Sequence, residues 1–288
     1  MAKEDFVTRG LIVYFSLGGT TARVAESIAK GLRAQGLLVD VASIRDKKAN
    51  QIGDYEFLGV GSPVFGFSLP YNVADYLASL PQLKGIPVFS FLLYGTYAFD
   101  TGWGLRKQLA KKGGRDVGYF TCRGTDLYLG YLKKGFLFSP DHPTSQELEQ
   151  AVAFGGEVAA RIGGVPYSPS EGFRSPGLVY RFARLATSRW LVNHVYTRLF
   201  RVDKKACNSC GACMKLCPKG NLKKGSDGRP RWGSDCLGCL TCEMKCPRDA
   251  IRSIADMLPL GYNVRHAAND PSLDFVRVRH QHGRTERM

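Results

Sequence analysis

Eight of the nine cysteines fall in two runs of the same spacing. Cys207, Cys210, Cys213 and Cys217 precede Pro218, and Cys236, Cys239, Cys242 and Cys246 precede Pro247, so each run reads C-x2-C-x2-C-x3-C-P. Three thiolates separated by two residues each can wrap one corner of an iron–sulfur cubane, because a tight turn returns every third side chain to the same side. Gly211, Ala212 and Gly238 let the backbone come close and aim N–H groups at sulfide. The fourth cysteine of each run lies too far along to join its own trio. The proline after it turns the chain away without needing a backbone donor. A zinc module would show paired C-x2-C knuckles across a long spacer, not four cysteines in eleven residues. The chemistry these residues suit is single-electron transfer.

In this ligand pattern the segment resembles the bacterial two-cluster ferredoxins, whose fourth cysteine ligates the other cluster. The resemblance implies two [4Fe–4S] clusters, one held by Cys207, Cys210, Cys213 and Cys246, the other by Cys236, Cys239, Cys242 and Cys217. Residues 203–253 carry more Lys and Arg than Asp and Glu, whereas many free ferredoxins are acidic.

The N-terminal half must position something else. Apolar strands are expected at 10–16, 37–44, 57–61, 86–94 and 116–122, and helices at 20–35, 71–80 and 105–112. A last helix starts at Thr144, where Thr144-Ser145-Gln146-Glu147 fits a capping box. Such alternation implies a parallel sheet covered on both faces. After the first strand, Ser16-Leu17-Gly18-Gly19-Thr20-Thr21 is rich in glycine and hydroxyls and opens a helix. Its backbone N–H groups can surround a phosphate without a cationic side chain. It is neither a Walker loop nor a G-x-G-x-x-G dinucleotide turn.

In this loop the chain resembles the flavodoxin family, whose FMN-phosphate loop reads close to S-x-T-G-N-T. Ser16, Gly19 and Thr21 match, while Gly18 stands where Thr is common and Thr20 where Asn is common. The resemblance implies FMN, with its ring between two further loops at the carboxyl ends of the third and fourth strands. These contain Ser62, Pro63, Val64, Phe65 and Gly66, and Tyr94, Gly95, Thr96 and Tyr97. Residues 61–70 include no Asp or Glu, so the repulsion that acidic loops exert on reduced flavin is absent.

The expected architecture is α/β, a flavodoxin-like doubly wound parallel five-stranded sheet with a small ferredoxin-like α+β iron–sulfur domain. Expected boundaries are 1–165 for the FMN-binding domain, 166–202 for a basic connector with a helix over 178–200, 203–253 for the two-cluster domain and 254–288 for a basic tail. Cys122 reads as a buried strand residue. His280 and His282 are spaced for a metal, but in a mobile tail.

Formal net charge is +15. Each oxidised cubane with its thiolates brings about −2 and a flavin phosphate up to about −2, leaving a loaded protein near +9 by that estimate. The balance favours an acidic redox partner. Residues 172–202 hold six arginines and no acid. Packing between domains, docking of an acidic protein and membrane-surface contact through 174–201 all remain open. Nucleic acid is not expected as a partner. Lys3, Glu4, Asp5 and Arg9 argue against a signal peptide. Clustered thiolates call for a reducing compartment, so a cytoplasmic, anaerobic setting is expected, with the inner membrane face as a peripheral option.

The functional expectation is an electron-transfer flavo-iron–sulfur protein. The alternative is an FMN-dependent reductase of a quinone, organic acceptor or metal cofactor, fed by the clusters. A substrate-sized cavity lined by Phe65, Tyr97 or Trp103 would favour the alternative. Asp100 is the acid nearest those loops, and it reads as a turn residue.

Overall fold

A computed structural model describes residues 8–169, 178–256 and 261–288. Sequence readings at residues 1–7, 170–177 and 257–260, including Arg174 and Gly172, fall outside the described residues. The chain divides into two compact units, Met1–Gly124 with Asp141–Gly177, and Thr125–Pro140 with Leu178–Met288.

The first unit is built on β1 (Arg9–Tyr14), α1 (Thr20–Arg33), β2 (Leu38–Ser43), β3 (Phe57–Pro63), α2 (Tyr71–Ser79), β4 (Pro87–Tyr94), α3 (Thr101–Lys111) and β5 (Arg115–Arg123). The strands form an all-parallel sheet in the order β2-β1-β3-β4-β5. Strands covered on both faces must be apolar throughout. Accordingly Leu11, Ile12 and Val13, then Phe57, Leu58 and Val60, then Phe89, Phe91 and Leu92 are buried in succession. This is the flavodoxin-like fold. Helix α3 begins four residues before its expected start. Asp100 reads as a turn residue, but Thr101 after it is buried and its hydroxyl donates to the Phe67 carbonyl at 3.3 Å.

After β5 the chain enters the second unit with α4 (Leu129–Lys133) and β6 (Phe136–Phe138), then returns as α5 (Ser145–Ile162). Helix α5 packs on α1 through a glycine contact. A Cβ on Gly31 would stand 2.0 Å from the Val152 carbonyl oxygen, and one on Gly155 would stand 2.3 Å from that of Ile28. The capping box forms as expected. Glu147 N–H donates to Thr144 Oγ1 at 3.2 Å and Thr144 N–H to the Glu147 carboxylate at 2.7 Å. The same carboxylate meets His142 Nδ1 at 2.7 Å and accepts from Arg123 N–H at 3.2 Å.

The second unit continues with α6 (Leu178–Ala186), α7 (Arg189–Leu191), a π-helical turn at Val192–Tyr196, α8 (Thr197–Leu199) and β7 (Arg201–Val202). The helix expected over 178–200 is therefore broken. Ser188 accepts from Leu191 N–H and starts a new helix. Next come α9 (Ala212–Lys215), β8 (Leu222–Lys224), β9 (Pro230–Trp232), α10 (Thr241–Met244), β10 (Ile251–Arg252), α11 (Gly261–Ala268), β11 (Phe275–Gln281) and β12 (Arg284–Arg287). Strands β7 and β10 pair antiparallel around the two cysteine runs. The tail expected to be mobile instead forms a hairpin with His282 (φ 51°) and Gly283 (φ 73°) at its turn, and β11 pairs with β6. Alternation drives this. Val276 and Val278 face Leu129, Leu132, Leu137, Leu240 and Met244, while Arg277 and Arg279 take the other face.

Burial pushes the Glu147 carboxyl up, but Thr144 N–H, His142 and Arg123 N–H outweigh it and hold it below its ordinary value. Glu147 therefore adds stability above the ordinary carboxyl value of 4.5, and loses it as pH falls through the lower folded value. Glu147→Ala should cost about 1–2 kcal/mol at neutral pH. Denaturant titrations of both proteins should converge as the pH falls below the ordinary carboxyl value.

Candidate functional site

Three loops leave the carboxyl edge of the sheet where the strand order reverses between β1 and β3, the place where such folds bind ligands. The first runs from β1 into α1. Gly19 occupies the N-cap of α1 at φ 85°, with no side-chain cap. A Cβ there would meet nothing within 4 Å, and Gly19 N–H donates to Ser16 Oγ at 3.0 Å. The N–H groups of Thr20 and Thr21, in the first helical turn, find no acceptor among the described residues. An uncapped helix end with orphan donors and open space suits a phosphate. Leu17 is half-buried and Gly18 exposed, whereas Thr21 is buried at 1%.

The second loop turns tightly at Gly66 (φ 51°) and Phe67 (φ 62°), closed by Phe65 N–H to the Ser68 carbonyl at 2.9 Å and Ser68 N–H to the Phe65 carbonyl at 3.0 Å. A left-handed aromatic residue is a strained one, which fixes where its ring points. Phe67 meets Phe99 edge-on at 5.4 Å, and Phe99 meets Tyr97 at 5.5 Å, so the second and third loops share an aromatic cluster. Phe65 packs on Phe15 at 6.0 Å. Pro63 and Val64 lead into this turn, Val64 N–H bonding the Leu93 carbonyl at 2.9 Å. Ser62 is fully buried on β3, its hydroxyl donating to the Pro63 carbonyl. Thr96 is also buried, while Tyr94, Gly95 and Tyr97 are half-buried at the edge. Asp100 stands at the N-cap position of α3 without capping it. Cys122 is buried, and burial, with Glu147 nearby, pushes its thiol up to about 12.

The second unit places the cysteines with an internal repeat. Gly211 (φ 76°) and Leu240 (φ 55°) each follow a cysteine in left-handed conformation and cap the short helices α9 and α10, which carry the third cysteines. Four residues after each fourth cysteine a backbone N–H donates to its sulfur, Asn221 to Cys217 and Ala250 to Cys246, both at 3.3 Å. Gly238 N–H reaches Cys236 Sγ at 3.4 Å and the Thr241 hydroxyl reaches Cys239 Sγ at 3.3 Å. Cys217 of the first run and Cys236, Cys239 and Cys242 of the second line one cavity of about 20 Å³. Burial raises the Cys213 thiol, and Cys246 and Cys210 lie close enough to raise it further. Cys207, Cys213, Cys217, Cys242 and Cys246 share an apolar cluster with Leu222, Ala250 and Ile251. Among the described residues no three His, Cys, Asp or Glu side chains converge as a mononuclear site would require.

The comparisons agree with both halves. The family model described as flavodoxin domain matches residues 11–133, and that described as 4Fe-4S dicluster domain matches 206–251. The chain is a fusion of a flavodoxin domain and a 4Fe-4S dicluster domain. A relative, pyruvate synthase subunit PorD of Methanocaldococcus jannaschii, is 34% identical over 62 residues, covering 20% of the fusion protein and 72% of that subunit. The B subunit of the anaerobic dimethyl sulfoxide reductase of Haemophilus influenzae is 44% identical over 48 residues, 16% of the fusion protein, and the match spans only 23% of that relative's length. Among solved structures, an archaeal flavodoxin aligns with 54% of the fusion protein and 99% of itself at 20% identity and TM-score 0.43. Flavodoxin 2 from Bacillus cereus does so at 20% identity and TM-score 0.44, with the same coverage. The flavodoxin domain implies FMN, and the dicluster domain implies 4Fe-4S clusters. Among the described residues no helix is long and apolar enough to cross a membrane.

Two residues of the fusion protein's iron–sulfur site were not singled out from sequence. Asn193, buried in the π-helical turn, accepts from Cys236 N–H at 2.6 Å and donates to the Arg189 carbonyl at 3.1 Å. An amide inside the run Trp190-Leu191-Val192-Asn193 was the available signal. Trp232 borders the thiolate cavity, and its buried indole N–H has no partner of ordinary hydrogen-bond geometry. It nonetheless directs a favourable dipole at Cys242, opposing the burial and the Cys239 charge that push that thiol up. An orphan donor facing clustered thiolates fits a group whose sulfurs accept hydrogen bonds.

Trp232→Phe should lower the potential of one cluster by roughly 40 mV, the one-electron equivalent of about 1 kcal/mol, read by redox titration. Asn193→Ala strands the Cys236 N–H and should cost about 1–3 kcal/mol, seen as faster loss of the cluster's visible absorption under denaturant, with Asn193→Asp closer to wild type.

Proposed function

We propose that the protein passes single electrons between two [4Fe–4S] clusters and FMN. The observation that carries this reading is the meeting of Cys217 with Cys236, Cys239 and Cys242 in one cavity, which mixes the two runs. That mixing is what crossed ligation demands, with Cys207, Cys210, Cys213 and Cys246 as the complementary set. Bound FMN supplies exchange between one-electron and two-electron chemistry, and the clusters supply single electrons. The chain does the positioning. Ser16–Thr21 and the start of α1 offer N–H groups to the phosphate, and Phe65, Gly66, Tyr94, Gly95 and Tyr97 stand where the ring lies in this fold.

The redox partner is another protein, since both relatives are named as parts of larger enzymes. The reductase alternative draws support from Phe99 and Trp103, which are 50% and 39% exposed beside the ring loops and would let a flat acceptor approach.

Anaerobic reconstitution followed by redox titration, with visible and EPR spectra, tests the proposal. About eight iron and eight sulfide per chain, one FMN and overlapping potentials are expected. Clusters without a flavin signal would sink the relay. Rapid turnover of a quinone by the isolated protein would move the assignment to the reductase.

A further inference from the structure

Beside the thiolate cavity, and wholly within the second unit, lies an opening of about 500 Å³. Arg198, Lys204, Arg229 and Arg231 stand around it, with Phe200 and Trp232 also in its wall. Asp227 is the one carboxylate in its lining among the described residues. It is already engaged by Arg229 at 3.3 Å and Arg231 at 3.0 Å. Arg198 and Lys204 are exposed and pair with no acid among the described residues. The groove therefore carries an excess of cation that nothing described in the chain neutralises.

The aromatic pair gives the groove its meaning. Phe200 and Trp232 stack at 4.7 Å with an interplanar angle of 17°. Both also line the cavity shared by Cys217, Cys236, Cys239 and Cys242. One layer of stacked rings separates the groove from those thiolates. Small organic ligands are held among apolar walls with a few placed polar groups. Here exposed guanidinium and ammonium groups ring the opening, which suits protruding carboxylates on another protein and steers their approach.

We propose that this groove docks an acidic ferredoxin-like redox protein, whose Asp and Glu side chains pair with Arg198, Lys204 and Arg231. The proposal rests on the electron-transfer reading. A single electron crosses, lost by one protein and gained by the other, and no bond is made or broken.

The test uses cluster-loaded full-length protein and, as probe, an immobilised acidic two-cluster ferredoxin, with affinity measured at several salt concentrations. Arg198→Glu/Lys204→Glu should weaken binding about tenfold or more and flatten its salt dependence. Lys30→Glu/Lys111→Glu, the same charge change on the first unit, should alter affinity less than about twofold. Cluster EPR spectra report folding in each variant. Should the reversal disturb them, Arg198→Gln/Lys204→Gln replaces it, with an expected loss of about threefold.

No binding by wild type, equal losses in both double variants, or full affinity without Arg198 and Lys204 would each overturn the proposal. Retention on phosphatidylglycerol vesicles with none on the ferredoxin would overturn it in favour of a lipid surface. Because the readout is affinity, a failed flavin titration would leave this result standing and fault only the relay.

Discussion

Holding four sulfurs from two distant runs around one small cavity is the constraint on which the second unit depends. Burial alone raises a thiol's pKa, and neighbouring thiols raise it further. Burial first, then the Cys239 and Cys217 charges, push Cys236 up to about 11 despite an opposing N–H from Gly238. Cys239 and Cys242 are raised by burial as well. Iron bound by these cysteines would supply the compensating charge, and cluster loading would then be coupled to folding there. The N–H donors from Asn221, Gly238 and Ala250, the Thr241 hydroxyl and the Trp232 dipole offset part of the same cost. They also explain why the short helices α9 and α10 are entered through left-handed residues, since that turn aims the backbone inward.

In the first unit the corresponding constraint is the uncapped start of α1. A helix normally satisfies its first N–H groups with a capping side chain, as Thr144 does for α5. Gly19 does not, and the loop before it is braced by Gly19 N–H to Ser16 Oγ and by Phe15 N–H to the Gly61 carbonyl. Two helices of one domain thus show opposite solutions. One end is closed for stability and the other is left open toward the carboxyl edge of the sheet. The strained turn at Gly66 and Phe67 belongs to the same edge, where rigid aromatic positioning offsets the cost of a left-handed residue.

Periodicity made the sheet legible. Its strands are expected within a residue or two of their observed ends because an apolar run covered on both faces has few alternatives. The cysteine runs and the Thr144–Glu147 capping box were legible for the same reason, since local spacing dictates them. What escaped is non-local. Leu129, Leu132 and Leu137 look like ordinary continuation of an α/β domain, and nothing nearby says that their partners are Leu240, Met244 and Val278. The tail hairpin carried a readable alternation at Val276 and Val278, but the interleaved Arg277 and Arg279 suggested a solvated end. Asn193 meets Cys236, 43 residues along the chain, and Trp232 faces Cys242 across a loop, so their roles emerge only once the chain is folded.

The excursion of residues 125–140 changes what fusion means for this chain. It follows the fifth strand of the flavodoxin sheet, yet its apolar residues complete the core of the second unit. Lys133 makes the point electrostatically. Its ammonium bonds the carboxylate of Glu243, which is 4% exposed and adjacent to Cys242, and also Asp256 at 2.5 Å. Burial pushes the Glu243 carboxyl up even with that cation present. Without residues 125–140, a charge beside Cys242 would lie buried without its lysine counterion, a loss of about 3–5 kcal/mol where such pairs are broken. A unit that borrows its core and its counterion from within the sequence of its neighbour is not a module joined by a linker. The iron–sulfur unit of this chain is complete only when the flavodoxin half has contributed its excursion.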